Sequence, residues 1–195
     1  TLPGNLGQPS PLFSGGGQFL DPQQFQDFKA NEAQFRDAGA SLAAQMIKGF
    51  EGFITNAKWD VNAFRGGVGS DTVTRADGAS EKVTKDTVVT LDEAERDLAR
   101  RIVEFQSGIQ SAIGVDTWRS LNEAQKAALT SIAYNYGSLP KAIVDAIESG
   151  GGPDVVAQAI ARLTANPARR AQEAQAYLGG GSIGPSTLPV KQDPW

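Results

Sequence analysis

Cysteine and histidine are both absent from this chain of 195 residues, and methionine occurs once. Their absence excludes cysteine nucleophiles, catalytic triads built on histidine, and zinc sites with histidine or cysteine ligands. It also leaves the redox compartment open, because no disulfide framework can form. Any enzymatic chemistry in such a chain falls on carboxylates, and this favours glycoside chemistry.

Positive charge and long apolar runs are scarce as well. The chain has 18 lysine and arginine residues against 22 acidic ones, which gives a net charge of −4. An acidic chain argues against nucleic acid as a partner and has no general electrostatic attraction to an anionic cell wall. Apolar runs fall short of the roughly 20 residues of a transmembrane helix, and no basic-then-apolar signal opens the chain. We expect no membrane insertion.

Composition divides the chain into three parts. Glycine, proline, serine and glutamine dominate residues 1–20, which predicts a flexible arm. Residues 21–178 are long enough for one domain with a substantial core, and residues 179–195 predict a flexible tail. The first helix of the domain starts at Asp21 and Pro22. It has an aromatic face, which either packs onto the domain or docks into a larger assembly. This face consists of Phe25, Phe28 and Phe35.

Apolar periodicity and cap signals predict a mainly helical α+β fold. The residues from Thr90 to Glu93 form a capping box, and those from Ser120 to Glu123 form a second box that opens the next long helix. Asn166 and Pro167 start the last helix. Before the first box, Asp77-Gly78 stands between two β-branched runs, which predicts a β-hairpin.

One stretch carries a chemical signal. Leu42, Met46 and Phe50 recur at helical spacing and lead to Glu51. Gly52 then lets the chain leave the helix. A carboxyl held at a helix end against aromatic residues suits a general acid. A second carboxylate on a nearby loop or hairpin completes the pair that glycoside hydrolases use.

This stretch resembles the phage-type lysozymes, the T-even-like muramidases and endolysins. The likeness starts with Phe50-Glu51-Gly52, Asp60 nine residues after Glu51, and Gly67-Val68-Gly69. Two further motifs follow in family order, a glutamine-led helix that ends in Tyr134-Asn135-Tyr136-Gly137 and the run Arg169-Arg170-Ala171-Gln172-Glu173. Together the motifs span about residues 42–178.

The resemblance implies a lysozyme-like fold, with a small β-hairpin subdomain beside a helical lobe. It implies hydrolysis of the β-1,4 bond between N-acetylmuramic acid and N-acetylglucosamine in peptidoglycan. In that reaction Glu51 protonates the leaving oxygen, and Asp60 orients a water or stabilises the oxocarbenium-like transition state. The resemblance further implies inversion at the anomeric carbon and no metal or organic cofactor.

The chain departs from the family pattern after Asp60. The family usually has a threonine before its Gly-x-Gly, where this chain has Arg65 and Gly66, and a histidine after it, where this chain has Ser70. The second carboxylate therefore stays open between Asp60 and Asp71, and the spacing from Glu51 favours Asp60. We expect Arg65 and Ser70 to contact the substrate.

Two groups of residues have alternative interpretations. Asn135, Tyr134 and Tyr136 are suited to bind a sugar ring by hydrogen bonding and stacking, or else they are a helix C-cap with packing aromatics. The resemblance implies that Arg169 pairs with Glu51, since an arginine in this family motif commonly pairs with the catalytic glutamate. The dipole at a helix N-terminus does not favour a cation there, which also calls for an anionic partner. Arg170 is the competing partner, and a solvated pair of Arg169 with Glu173 is the structural alternative.

Three functional classes remain. A muramidase is the first, a lytic transglycosylase that uses Glu51 alone is the second, and a non-catalytic virion protein with a lysozyme-like scaffold is the third. The arm, the aromatic helix and the acidic composition favour a phage virion or tail over a free cytoplasmic endolysin. The expected partners are peptidoglycan and, through the arm and tail, other virion proteins.

Overall fold

The computed structural model describes residues 41–179, and helices make up most of them. The helices are α1 (Ser41–Glu51), α2 (Leu91–Ile113), α3 (Val115–Ser120), α4 (Glu123–Tyr136), α5 (Lys141–Glu148), α6 (Gly152–Ala161) and α7 (Pro167–Tyr177). Four short strands lie between α1 and α2: β1 (Ile54–Asp60), β2 (Ala63–Gly67), β3 (Thr72–Thr74) and β4 (Ser80–Lys82). This composition confirms the mainly helical α+β prediction. The predicted arm, the aromatic helix and residues 180–195 of the tail lie outside the described residues.

The strands form two antiparallel pairs. In the first, Trp59 of β1 lies opposite Phe64 of β2, and Asp60 lies opposite Ala63. The turn between them places Val61 at a φ of 51°, in the left-handed region that β-branched residues avoid. In the second pair β3 and β4 flank the Asp77-Gly78 turn, so the hairpin predicted there is confirmed.

The two capping boxes have different outcomes. Thr90 and Glu93 form the predicted box at the start of α2, with both side chains bonded to backbone N–H groups. The box predicted from Ser120 to Glu123 is wrong, because Ser120 is the last residue of the short helix α3. Asn122 caps α4 instead, in a box with Gln125.

Two apolar clusters form the core, and α1 and α2 contribute to both. Met46 of α1 and Ile109 of α2 belong to a cluster within the helical lobe. Ile47 of α1 and Leu98 of α2 belong to a second cluster, which the strands complete with valines such as Val73. None of the helices in residues 41–179 is long and apolar enough to cross a membrane.

Candidate active site

Glu51 is the last residue of α1, and its side chain is 23% exposed. The buried face of α1 fixes the direction of the helix, because it contributes to both core clusters. Gly52 ends the helix at a φ of 68°, and its N–H donates to the Lys48 carbonyl. The carboxyl group of Glu51 is thus held on a rigid element and still open to solvent.

Gly69 forms the opposite wall at Glu51. Its φ is 66°, and a Cβ atom at this position would lie 2.9 Å from Glu51 Oε2. The Gly67-Val68-Gly69 motif therefore brings backbone directly against the carboxyl group. This close approach explains the glycine at position 69.

Arg169 lies at the other oxygen of Glu51. Its Nη1 donates to Glu51 Oε1 at 2.6 Å, although 118 positions separate the two residues. The guanidinium also stacks over the Phe50 ring, 4.6 Å from the centroid. Arg169 belongs to the first turn of α7, which starts at Pro167 as the sequence predicts; Asn166 precedes it but makes no side-chain cap.

The two alternatives to a pair of Arg169 with Glu51 differ from what the structure shows, although Arg169 does also pair with Glu173, Nε to Oε1 at 3.1 Å. Arg170, the competing partner, donates to Asn135 Oδ1 at 3.3 Å and to Glu173 Oε1 at 3.1 Å. Glu173 is fully buried, so the alternative of a solvated pair between Arg169 and Glu173 is wrong. Arg169, Arg170 and Glu173 form a buried ion cluster, and Arg169 connects this cluster to Glu51.

Asp60 reaches the same region through Arg65. Arg65 lies two residues beyond Ala63, the strand partner of Asp60, so the two side chains share one face of the hairpin. Arg65 Nε pairs with Asp60 Oδ2 at 2.9 Å, and Arg65 Nη1 donates to the Gly69 carbonyl at 3.4 Å. Arg65 thus connects Asp60 to the glycine that abuts Glu51.

Asp71, the alternative second carboxylate, has a different partner. It lies just before β3 and accepts a bond from Arg101 Nη1 of α2 at 3.1 Å. The Arg101 guanidinium also lies over the Phe105 and Tyr134 rings. Asp71 therefore takes part in the contact between the strands and α2.

Ser70 lies inside the protein, and this corrects the prediction that it contacts substrate. Its side chain is 3% exposed, and its hydroxyl donates to Asp97 Oδ2 at 2.6 Å. Asp97, which our sequence analysis missed, also accepts bonds from Thr74 at 2.8 Å and Arg100 at 2.9 Å. The signal for it was an acidic residue directly before Leu98, on the apolar face of α2.

The three residues at the end of α4 divide between the two predicted roles. Tyr134 is buried, and its hydroxyl donates to the Val68 carbonyl at 2.6 Å, so the prediction that it stacks on a sugar is wrong. Burial raises the pKa of Tyr134, which keeps this donor protonated. Asn135 and Tyr136 are exposed, and the Arg170 guanidinium lies over the Tyr136 ring. Both remain candidates for sugar contacts.

The chemistry of the site rests on carboxylates and arginines. Within residues 41–179, no group of three or more acidic side chains is placed to hold a metal ion. Glu51 is accessible and hydrogen-bonded, and Arg65, the ion-pair partner of Asp60, contacts the carbonyl of Gly69 beside it. This arrangement suits proton transfer to a leaving oxygen more than it suits cation binding.

Comparison with protein families adds one match. A family model described as phage lysozyme matches residues 48–171, a span that contains Glu51, Asp60 and Arg169. Among curated proteins, none matches this chain.

Solved structures show a likeness of fold. The endolysin of Escherichia coli O157:H7 phage FAHEc1 is 24% identical, with a TM-score of 0.57 over 72% of this chain and 92% of the endolysin. A mutant of P22 lysozyme is 20% identical, with a TM-score of 0.55 over 72% of this chain and 97% of the lysozyme. The muramidase domain of SpmX from Asticaccaulis excentricus is 19% identical, with a TM-score of 0.50 over 70% and 94% of the two chains. The predicted lysozyme-like fold is confirmed.

Proposed function

This chain belongs to the phage lysozyme family, and we propose that it is a muramidase whose general acid is Glu51. It is a glycoside hydrolase that acts on peptidoglycan. The bond it cleaves is the β-1,4 bond between N-acetylmuramic acid and N-acetylglucosamine. The observation that supports the assignment of the acid is the placement of Glu51, at a helix end, partly exposed and bonded to Arg169.

In the proposed reaction one carboxyl group donates a proton and a second carboxylate accepts one. Glu51 gives its proton to the glycosidic oxygen as that bond breaks, which requires Arg169 to release Glu51 Oε1 when substrate enters. Asp60 takes a proton from a water whose oxygen adds to the anomeric carbon from the opposite face. The configuration at that carbon is therefore inverted. Asp60 then releases its proton to solvent, and Glu51 takes one up before the next turnover.

Asp60 is the better candidate for the second carboxylate. The Arg65 guanidinium donates both to Asp60 and to the carbonyl of Gly69, and Gly69 contacts Glu51. Asp71 instead accepts a bond from Arg101 of α2. We also propose Arg65, Asn135 and Tyr136 as sugar contacts. Arg65 contacts Asp60 and Gly69, and the exposed Asn135 and Tyr136 contact Arg170, which pairs with Glu173.

The decisive test is Glu51→Gln. The amide keeps the shape of the side chain and an oxygen for Arg169, but it has no acidic proton to deliver. We expect a folded variant whose peptidoglycan clearance falls by about 10²- to 10⁴-fold. Circular dichroism checks the fold, and Glu148→Gln, an exposed carboxylate on α5, is the matched control. Clearance near the wild-type rate in folded Glu51→Gln contradicts the assignment.

One alternative is a lytic transglycosylase that uses Glu51 alone, in which case the ion pair with Arg65 gives Asp60 a structural role. In that reaction the C6 hydroxyl of the muramic acid replaces water and gives an anhydro product, lighter by one water. Mass spectrometry of digested peptidoglycan separates the two reactions. A zymogram of the wild-type protein with no clearing supports the third class, a scaffold without activity.

We also propose that the protein is carried in a phage virion or tail. The support is the composition of residues 1–20 and 179–195, which suits segments that bind other virion proteins. Mass spectrometry of purified particles tests this proposal. Detection of the chain only in the lysate fraction, and never in the particles, supports a free endolysin instead.

A further inference from the structure

Glu173 lies at the centre of the buried ion cluster behind Glu51. Its side chain is 0% exposed, as is that of Arg170, and Arg169 is 7% exposed. Glu173 Oε1 accepts bonds from Ser131 Oγ at 2.6 Å, Arg169 Nε at 3.1 Å and Arg170 Nη2 at 3.1 Å. Its second oxygen lies 3.0 Å from Arg170 Nε, in an ion pair whose alignment is poor for a hydrogen bond.

The guanidinium of Arg169 is shared between two carboxylates. Nε donates to Glu173, and Nη1 donates to Glu51. Nη2 donates to the carbonyl and the hydroxyl of Ser131, both at 3.2 Å. Because a guanidinium is planar, the bonds to Glu173 and Ser131 decide where Nη1 points.

Charge balance gives Glu173 a second effect. Two arginines contribute +2 beside Glu51. Burial raises the pKa of Glu173, but its ion pairs with Arg169 and Arg170 oppose that shift, and the ionised Glu173 reduces the charge to +1. Charges buried in a protein interior interact more strongly than charges in water. Without Glu173 the two arginine charges would be unopposed, and added positive charge favours the ionised form of a neighbouring carboxyl group over the protonated form that an acid needs.

We propose that Glu173 is a positioning residue for Glu51, which orients the Arg169 fork and offsets one of the two arginine charges so that Glu51 can hold its proton. The inference rests on the proposed role of Glu51 as general acid. It assigns Glu173 no contact with substrate.

Other ionisable groups near Glu51 keep their charge when Glu173 or Arg170 is substituted. Tyr134 of α4 interacts electrostatically with Glu51 and also with Arg65, Asp97 and Arg101. On α1 itself, Lys48 forms an ion pair with Glu95. These groups contribute the same charge in every variant, so a shift between variants reports the cluster alone.

Three variants change the charge of the cluster in steps. Glu173→Gln raises the net charge of its three members Arg169, Arg170 and residue 173 to +2, Arg170→Gln lowers it to 0, and the double variant restores +1. The test is the release of dye from labelled peptidoglycan, measured as a function of pH. We expect the alkaline limb of the profile to move to lower pH by about one unit in Glu173→Gln, and to higher pH by a similar amount in Arg170→Gln. The limb of the double variant should lie near that of the wild type.

A structural role for Glu173 predicts something different. It lowers the rate at every pH and leaves the limb in place, and that result in the folded variants overturns the inference. If Glu173→Gln does not fold, Arg170→Gln still tests the charge effect, and an unmoved alkaline limb in folded Arg170→Gln overturns the inference. Glu148→Gln controls for loss of a carboxylate elsewhere. Activity in Glu51→Gln contradicts the proposed function, whereas an inactive Glu51→Gln with unmoved limbs contradicts only the role of Glu173.

Discussion

At the scale of single residues, position 69 is constrained twice. A side chain there would meet Glu51 Oε2 at 2.9 Å, and the backbone is left-handed. Gly69→Ala should therefore displace the carboxyl group, and displacement by about 1 Å is enough to reduce activity by about 10²-fold. The measurement is the rate of peptidoglycan clearance beside the melting temperature.

Gly78→Ala is the matched control for Gly69→Ala. Gly78 has a φ of 87°, but a Cβ there meets nothing within 4 Å. Both variants carry the backbone cost of about 1–2 kcal/mol for a left-handed alanine. Only Gly69→Ala should lose activity beyond its loss of stability. Equal activity in the two variants argues against contact between Gly69 and Glu51.

Single residues also show where sequence reasoning succeeds and where it stops. The pairing of Arg169 with Glu51 could be predicted, because the resemblance to the family implies it and because Pro167 sets the start of α7, where a cation calls for an anionic partner. The burial of Ser70 and Tyr134 could not. Their hydroxyls are bonded to Asp97 and to the Val68 carbonyl, 27 and 66 positions away, and no local pattern identifies such partners.

At the scale of elements, Asp97 joins α2 to the second strand pair. Burial opposes its charge, but bonds from Ser70, Arg100 and Thr74 outweigh burial and hold the pKa of Asp97 below its usual value. Asp97→Asn removes the charge from all of these bonds. We expect a loss of about 2 kcal/mol in the free energy of unfolding near neutral pH, and a fall in Tm of about 4–8 °C. Asp116→Asn, a fully exposed carboxylate on α3, should leave the Tm unchanged.

The stabilisation by Asp97 depends on pH with a definite sign. Because its pKa is lower in the folded than in the unfolded chain, its contribution is complete above the ordinary value of 3.8. It is lost as the pH falls through the folded pKa. Urea unfolding should therefore show the stability gap between wild type and Asp97→Asn closing below about pH 4. A gap that stays constant to about pH 2 contradicts this linkage.

Boundaries of elements were predicted less well than their existence. Ser120 and Asn122 are both good cap residues, each followed three positions later by a partner for a capping box, Glu123 and Gln125. The choice between them depends on α3, a six-residue helix that ends at Ser120. Helices so short depend on packing, here of Trp118 into the core, and the surrounding sequence does not reveal it.

At the scale of the whole molecule, the two ends of the chain are predicted to be dispensable for catalysis. Residues 1–20 and 180–195 lack apolar periodicity, so deletion of both should leave the Tm and the rate on purified peptidoglycan nearly unchanged. Calorimetry and a clearance assay on the truncated protein check this. A Tm lowered by more than about 4 °C, which corresponds to about 1 kcal/mol, assigns an end to the folded domain.

The sharing of α1 between the two core clusters has an evolutionary consequence. Met46 packs in one cluster and Ile47 in the other, and Glu51 stands one turn further along the same helix. A substitution that repacks either cluster is therefore expected to tilt the helix that carries Glu51. The two lobes cannot be inherited as interchangeable modules: a recombinant that takes its strands from one ancestor and its helical lobe from another must also match both faces of α1.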